Sequence, residues 1–172
     1  MPRVCDHAGV LKFFSVFRVT TKHVRVAESS SVELPRSAEV MWAFMASAAS
    51  SVELQDDTES GVTLPGSPEG LGEIQVFIHQ DGDVRWASAI EVVEFEAGRR
   101  AVTVGMGYEL PAYVGLTIDP LGPDSCRVPQ DIRIDFPPGS PVAEVRQRRE
   151  GCQASLRSSV SRLVELAPGL PA

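Results

Sequence analysis

The chain has 172 residues, 43% of them hydrophobic and 23% charged, and a formal net charge of −7. That length suits one domain with a core of its own, and the composition is that of an ordinary globular protein. The acidity is concentrated: residues 28–141 hold 6 basic and 19 acidic residues, which excludes a phosphate-binding surface and with it nucleic acid as a partner.

Taken in order, residues 1–22 are the least readable stretch. The run Val10-Leu11-Lys12-Phe13-Phe14-Ser15-Val16-Phe17 is apolar but too short to span a membrane, and no small-residue cleavage site follows it. It fits an edge strand, a short covering helix, or extra sequence from an early start; the segment is taken as a peripheral or disordered extension. A domain over residues 23–167 follows. His23 to Leu34 alternates Val24, Val26, Ser30, Val32 and Leu34, the period of a strand. Ser37 can cap a helix that places Val40, Met41, Phe44, Met45 and Ala48 on one face, and Ser50 to Leu54 adds a further turn. Gly61 to Leu64 reads as a short strand, and Pro65 to Gly70 as a loop.

Strands then follow closely: Gly72 to His79, the turn Asp81-Gly82, Val84 to Phe95, Arg99 to Glu109, Ala112 to Asp119 with Pro120 as its end, and Cys126 to Phe136. Arg99 to Glu109 has Val102, Val104, Met106 and Tyr108 on one face and only Thr103, Gly105 and Gly107 on the other. Small residues on a strand face mark a bend or leave room for something to approach. Ser140 to Leu166 reads as one long helix with Ser140 as N-cap and Pro141 in its first position. Its apolar stripe is Val142, Val145, Cys152, Leu156, Val160 and Leu163, broken by Arg149. Arg149 either packs its stem and sends its head to water, or aims its charge into a pocket. This order predicts an α+β fold: a curved antiparallel β-sheet wrapped around the long C-terminal helix, with two short helices after the first strand.

Cys5, Cys126 and Cys152 form no disulfide framework and no metal spacing, which suits a reducing cytoplasm. No metal and no cofactor is expected, since zinc spacing and a glycine-rich phosphate loop are both missing. His79 has Asp81 and Asp83 close by in sequence, a pairing that could serve acid–base work or simply sit solvated beside a hairpin.

Four stretches resemble the START-like (SRPBCC) superfamily, in particular its polyketide cyclase/dehydrase branch. They are Val32 to Trp42, Leu64-Pro65-Gly66 with Gly70-Leu71-Gly72, Glu91 to Arg100, and the helix end Arg162-Leu163-Val164-Glu165. Their order and spacing carry the likeness over residues 26–166. Family members usually have an Asp at the end of the first helix and then a Trp near a Pro; here Ser47 and the run Ser51 to Asp57 stand there, so the mouth of the cavity differs.

The resemblance implies a helix-grip fold and a cavity, between sheet and C-terminal helix, for a polyketide, lipid or aromatic metabolite. It implies either cofactor-free cyclase or dehydratase chemistry or a non-catalytic carrier, sensor or protein-interaction module. The residues expected to do chemistry are Arg85, Tyr108 and Tyr113, because a tyrosine hydroxyl can polarise a carbonyl during enolisation. Trp86, Met106, Arg149, Cys152 and Leu156 are expected to touch the ligand, Arg149 through a carboxylate on the ligand or on a strand. The partner is then a small apolar metabolite, without membrane insertion; the sequence is compatible with a homodimer.

Overall fold

The computed structural model describes residues 24–171, so the apolar run of the N-terminal extension lies outside the described residues. The chain begins with β1 (Val24–Leu34), followed by α1 (Ala38–Ala46), a 3-10 turn (Ala48–Ser50) and α2 (Ser51–Leu54). The hydroxyl of Ser37 caps α1 as its position predicts, accepting from the Val40 N–H at 3.3 Å. Then come β2 (Thr58–Thr63), β3 (Ile74–Asp81), β4 (Val84–Glu96), β5 (Arg100–Gly105), β6 (Ala112–Thr117), β7 (Asp119–Gly122), β8 (Ser125–Phe136) and α3 (Val142–Leu166). β3 and β4 meet in a tight hairpin in which Gly82 has a φ of 56°, the left-handed conformation such a turn requires.

All strands join one antiparallel 8-stranded sheet in the order β1-β8-β6-β5-β4-β3-β2, with β7 paired to β8 off that path. The fold is the expected α+β helix-grip arrangement, a curved sheet closed by a long C-terminal helix. Three local expectations are corrected. β5 stops at Gly105 rather than Glu109, because the chain turns through Gly107, whose φ is 77°. Pro120 does not end the sheet; it sits in β7 opposite Cys126, in a short strand where its missing N–H is tolerated. Ser140 does not cap α3, since its hydroxyl donates to the Pro137 carbonyl at 2.9 Å and Pro141 takes the N-cap place.

α3 packs mainly on β1, with a lesser contact on β8. Its stripe is buried at Cys152, Leu156 and Leu163, whereas Val142 in the first turn is 84% exposed. Two apolar clusters result. One joins Val26, Ile132, Ile134 and Phe136 to Cys152 and Leu156. The other joins Leu34, Met41, Ile118, Cys126 and Val128 to Leu163 and Ala167. Between them Glu28 of β1 holds the helix: Arg149 Nε lies 3.1 Å from one carboxylate oxygen and Gln153 Nε2 donates to the other at 3.0 Å. No helix among the described residues is long and apolar enough to cross a membrane.

Candidate functional site

The covering of the sheet is uneven, and the gap is the candidate site. α3 closes over β1 and β8, while α2 and the 3-10 turn close over β2 at the opposite edge. The strands between them carry small or medium side chains on the concave face, among them Ala101 and Thr103 of β5 and Val114 and Leu116 of β6. A cavity of about 610 Å³ is left above them. Gln75 and Phe77 of β3, Ile90, Val92 and Phe95 of β4 and Gln130 and Ile132 of β8 continue the floor. Ser155, Leu156, Ser158 and Ser159 of α3 form one wall; Trp42, Met45, Ala46 and Leu54 form the other. The Trp42 and Phe95 rings meet at 5.8 Å in a tilted pair that stiffens that corner. Gln55, Asp56, Asp57, Ser155 and Ser158 are exposed and mark where the cavity meets solvent.

The polar groups of the lining differ in how far they are occupied. Glu73 is taken up by its own surroundings: it accepts from Thr63 Oγ1, from the Gly70 N–H and, at 2.7 Å, from Gln75 Nε2. Gln75 also donates to the Ala46 carbonyl at 3.1 Å, tying β3 to the end of α1. Gln130 is 7% exposed and its amide has no hydrogen-bond partner among the described residues.

A second polar group flanks the cavity. His79 is buried on β3, with Nε2 2.7 Å from Ser88 Oγ and Nδ1 3.2 Å from Thr58 Oγ1 and 3.7 Å from Asp57 Oδ1. Its ring is stacked on Trp86 at 5.2 Å. The partners of His79 are therefore Thr58 and Ser88, brought from β2 and β4 by strand pairing, and Asp57, the residue before β2. Of these, Asp57 lines the cavity; His79, Ser88 and Trp86 do not.

Of the eight site residues expected from sequence, Leu156 lines the cavity. Arg85 lies on the outward face of β4, mostly exposed, with Nη2 2.7 Å from Glu59. Tyr113 also points outward, because its neighbours Ala112 and Val114 take the inward places on β6; the Arg133 guanidinium lies 4.4 Å from the centre of its ring. Tyr108 is 55% exposed, and its ring lies over Gly105, where a Cβ would come within 2.9 Å of it. Met106 follows the end of β5 and is exposed. Arg149 faces Glu28, and Cys152 is packed in the cluster beneath α3, where burial, with help from the charge of Glu28, pushes its thiol pKa up. Polar residues placed on the cavity without being singled out in the sequence include Gln130, Gln75 and the serines of α3, whereas Asp57 ends the run Ser51 to Asp57 expected at its mouth.

No protein-family model and no curated protein matches the sequence. Solved structures do match the fold. A START superfamily protein from Mycobacterium smegmatis aligns with a TM-score of 0.61 at 16% identity, over 84% of this chain and 98% of that one. The Zhui aromatase/cyclase of a Streptomyces strain gives 0.63 at 12% identity, over 84% and 94%. Norcoclaurine synthase from Thalictrum flavum, in complex with dopamine and hydroxybenzaldehyde, gives 0.59 at 15% identity, over 93% and 97%. At such identities the likeness establishes a START-like fold.

Proposed function

We propose that the protein binds a small, mostly apolar molecule in the cavity between the sheet and α3. The observation that carries this reading is the cavity itself: about 610 Å³ walled largely by apolar side chains, beside two buried apolar clusters. That volume lies in the ordinary range for small-ligand sites. The driving force is the apolar surface the ligand removes from water, at roughly 25 cal/mol per Å². A ligand burying about 300 Å² gains about 7 kcal/mol before the cost of association, so micromolar affinity needs good fit as well as area.

Carrying or sensing an apolar metabolite in the cytoplasm follows most simply, because Arg85, Tyr108 and Tyr113 stand away from the cavity. Cyclase-type chemistry is a second reading, and one contact favours it. Asp57 lines the cavity and lies 3.7 Å from His79 Nδ1, so a proton acceptor with a histidine behind it is at the rim. Conversion of a linear polyketone by the purified protein, lost in His79→Gln, separates this reading from simple carriage.

Native mass spectrometry of gently purified protein tests binding. The expected spectrum shows the chain with an added mass of a few hundred daltons that is shed on collisional activation. Bare chain alone, together with no saturable uptake of added apolar probes, contradicts the proposal.

A further inference from the structure

Two neighbouring polar groups, one of them on the cavity floor, have no partner among the described residues. On β8 the inward row runs Cys126, Val128, Gln130, Ile132, Ile134 and Phe136, buried throughout, with Gln130 its one polar member. Directly across the strand pair stands Ser30 of β1, in register with Gln130. The Ser30 hydroxyl is buried and has no hydrogen-bond partner. The amide of Gln130 has none among the described residues either, although its side chain is more than nine-tenths buried and faces the cavity. An amide that meets only the cavity is free to hydrogen-bond whatever displaces water from it, and an occupant that cannot do so leaves it unsatisfied at a cost.

The charges around the cavity restrict what that occupant can be. Among the described residues the lining contains Asp56, Asp57 and Glu73 and no Lys, Arg or His. Of the arginines at this wall, Arg157 lies between the lining residues Leu156 and Ser158 but is exposed and outside the lining, and Arg162 is held by the Glu53 carbonyl and Glu165. A carboxylate or sulfonate entering here would lose hydration and meet like charge with no cation in the lining to receive it.

Building on the ligand-binding reading above, we infer that the cavity selects uncharged ligands bearing a hydroxyl or carbonyl group that hydrogen-bonds the Gln130 amide, and rejects anionic ones. An amide offers both a donor and an acceptor, so one residue suits either oxygen type. Gln130 is thereby a specificity-determining residue.

Equilibrium dialysis of the full chain against naphthalene, 2-naphthol and 2-naphthoate at neutral pH tests this, since the three share one ring system. The wild type is expected to bind 2-naphthol about fivefold more tightly than naphthalene, the size of one neutral hydrogen bond, and 2-naphthoate at least about tenfold more weakly than 2-naphthol. Gln130→Leu is expected to lose the advantage of 2-naphthol over naphthalene. Equal affinity of the wild type for naphthalene and 2-naphthol overturns the role of Gln130, as does an advantage that survives in Gln130→Leu. Tight binding of 2-naphthoate overturns the exclusion of anions. Binding of none of the three overturns the cavity reading along with the inference. The wild-type ranking stands by itself if Gln130→Leu fails to fold, and Gln130→Met then supplies the amide-free comparison.

Discussion

The two halves of the sheet are built from the same alternation of side chains and end as different materials. On β1 and β8 the inward residues are mostly large and apolar, with Glu28, Ser30 and Gln130 as polar members, α3 lies on them, and side chains such as Phe136, Leu163, Val26 and Val128 are fully buried. On β5 and β6 the inward residues include Ala101, Thr103 and Val114, and a cavity takes the place of a helix. Alternation thus settles which residues face inward, while side-chain volume and the helix's line of contact settle whether that interior is core or binding space. α3 is held to the packed half by two apolar clusters and by the Glu28 contacts with Arg149 and Gln153. The other half is left free to accept a ligand.

The difference between the halves is open to direct attack. Truncation should have its largest effect in the packed half: Leu163→Ala is expected to lose about 2–5 kcal/mol in urea unfolding, whereas Val114→Ala at the cavity should lose less than about 1 kcal/mol. Enlargement should show the reverse tolerance. Cys152→Phe is expected to destabilise by about 1–3 kcal/mol or more, because it overfills a close-packed cluster, while Thr103→Phe enters open volume and should leave the unfolding midpoint nearly unchanged. A similar cost for both would remove the distinction.

Arg149→Leu sharpens the same contrast on the side of charge. The arginine is half exposed, so the pair with Glu28 is weakened by solvent, and a loss of no more than about 1 kcal/mol is expected. Binding of a neutral probe should not change, since Arg149 belongs to the clasp on β1; weaker binding would return it to the site.

The smallest effect concerns the thiols of the packed half. Burial raises the pKa of both Cys126 and Cys152 above the ordinary thiol value of 9.0. Their contribution to stability is therefore complete below that value and is lost as pH rises through the higher folded-state values. Comparing unfolding midpoints between neutral pH and pH 10 or above, Cys126→Ala should show a shallower alkaline decline than the wild type. Parallel curves would mean that the thiol does not contribute.

Much of the frame was legible because it depends on local patterns. The alternation from Val24 to Leu34, the Asp81-Gly82 turn, the cap at Ser37 and the stripe through Cys152, Leu156 and Leu163 all appear in the structure as elements or contacts. The small face of β5 was legible too, and its Thr103 lies on the cavity. The site residues were harder because inward and outward are decided by parity along each strand and by the β4 bulge between Val92 and Glu94. Arg85 and Tyr113 fall on the outward parity. The clearest missed signal was Gln130, a lone amide in an otherwise apolar inward row. The partners of His79 could not be read at all, since Thr58 and Ser88 reach it only through β-sheet pairing.

The most direct test of the account is a fluorescence titration of the wild type and Thr103→Phe with the neutral probe N-phenyl-1-naphthylamine. The wild type should bind one probe per chain, saturably, with blue-shifted emission. The folded Thr103→Phe protein should lose at least about tenfold in affinity, or roughly 1.4 kcal/mol. No saturable binding by the wild type, or equal binding by both proteins, would contradict the claim that the open half of the sheet is the binding site.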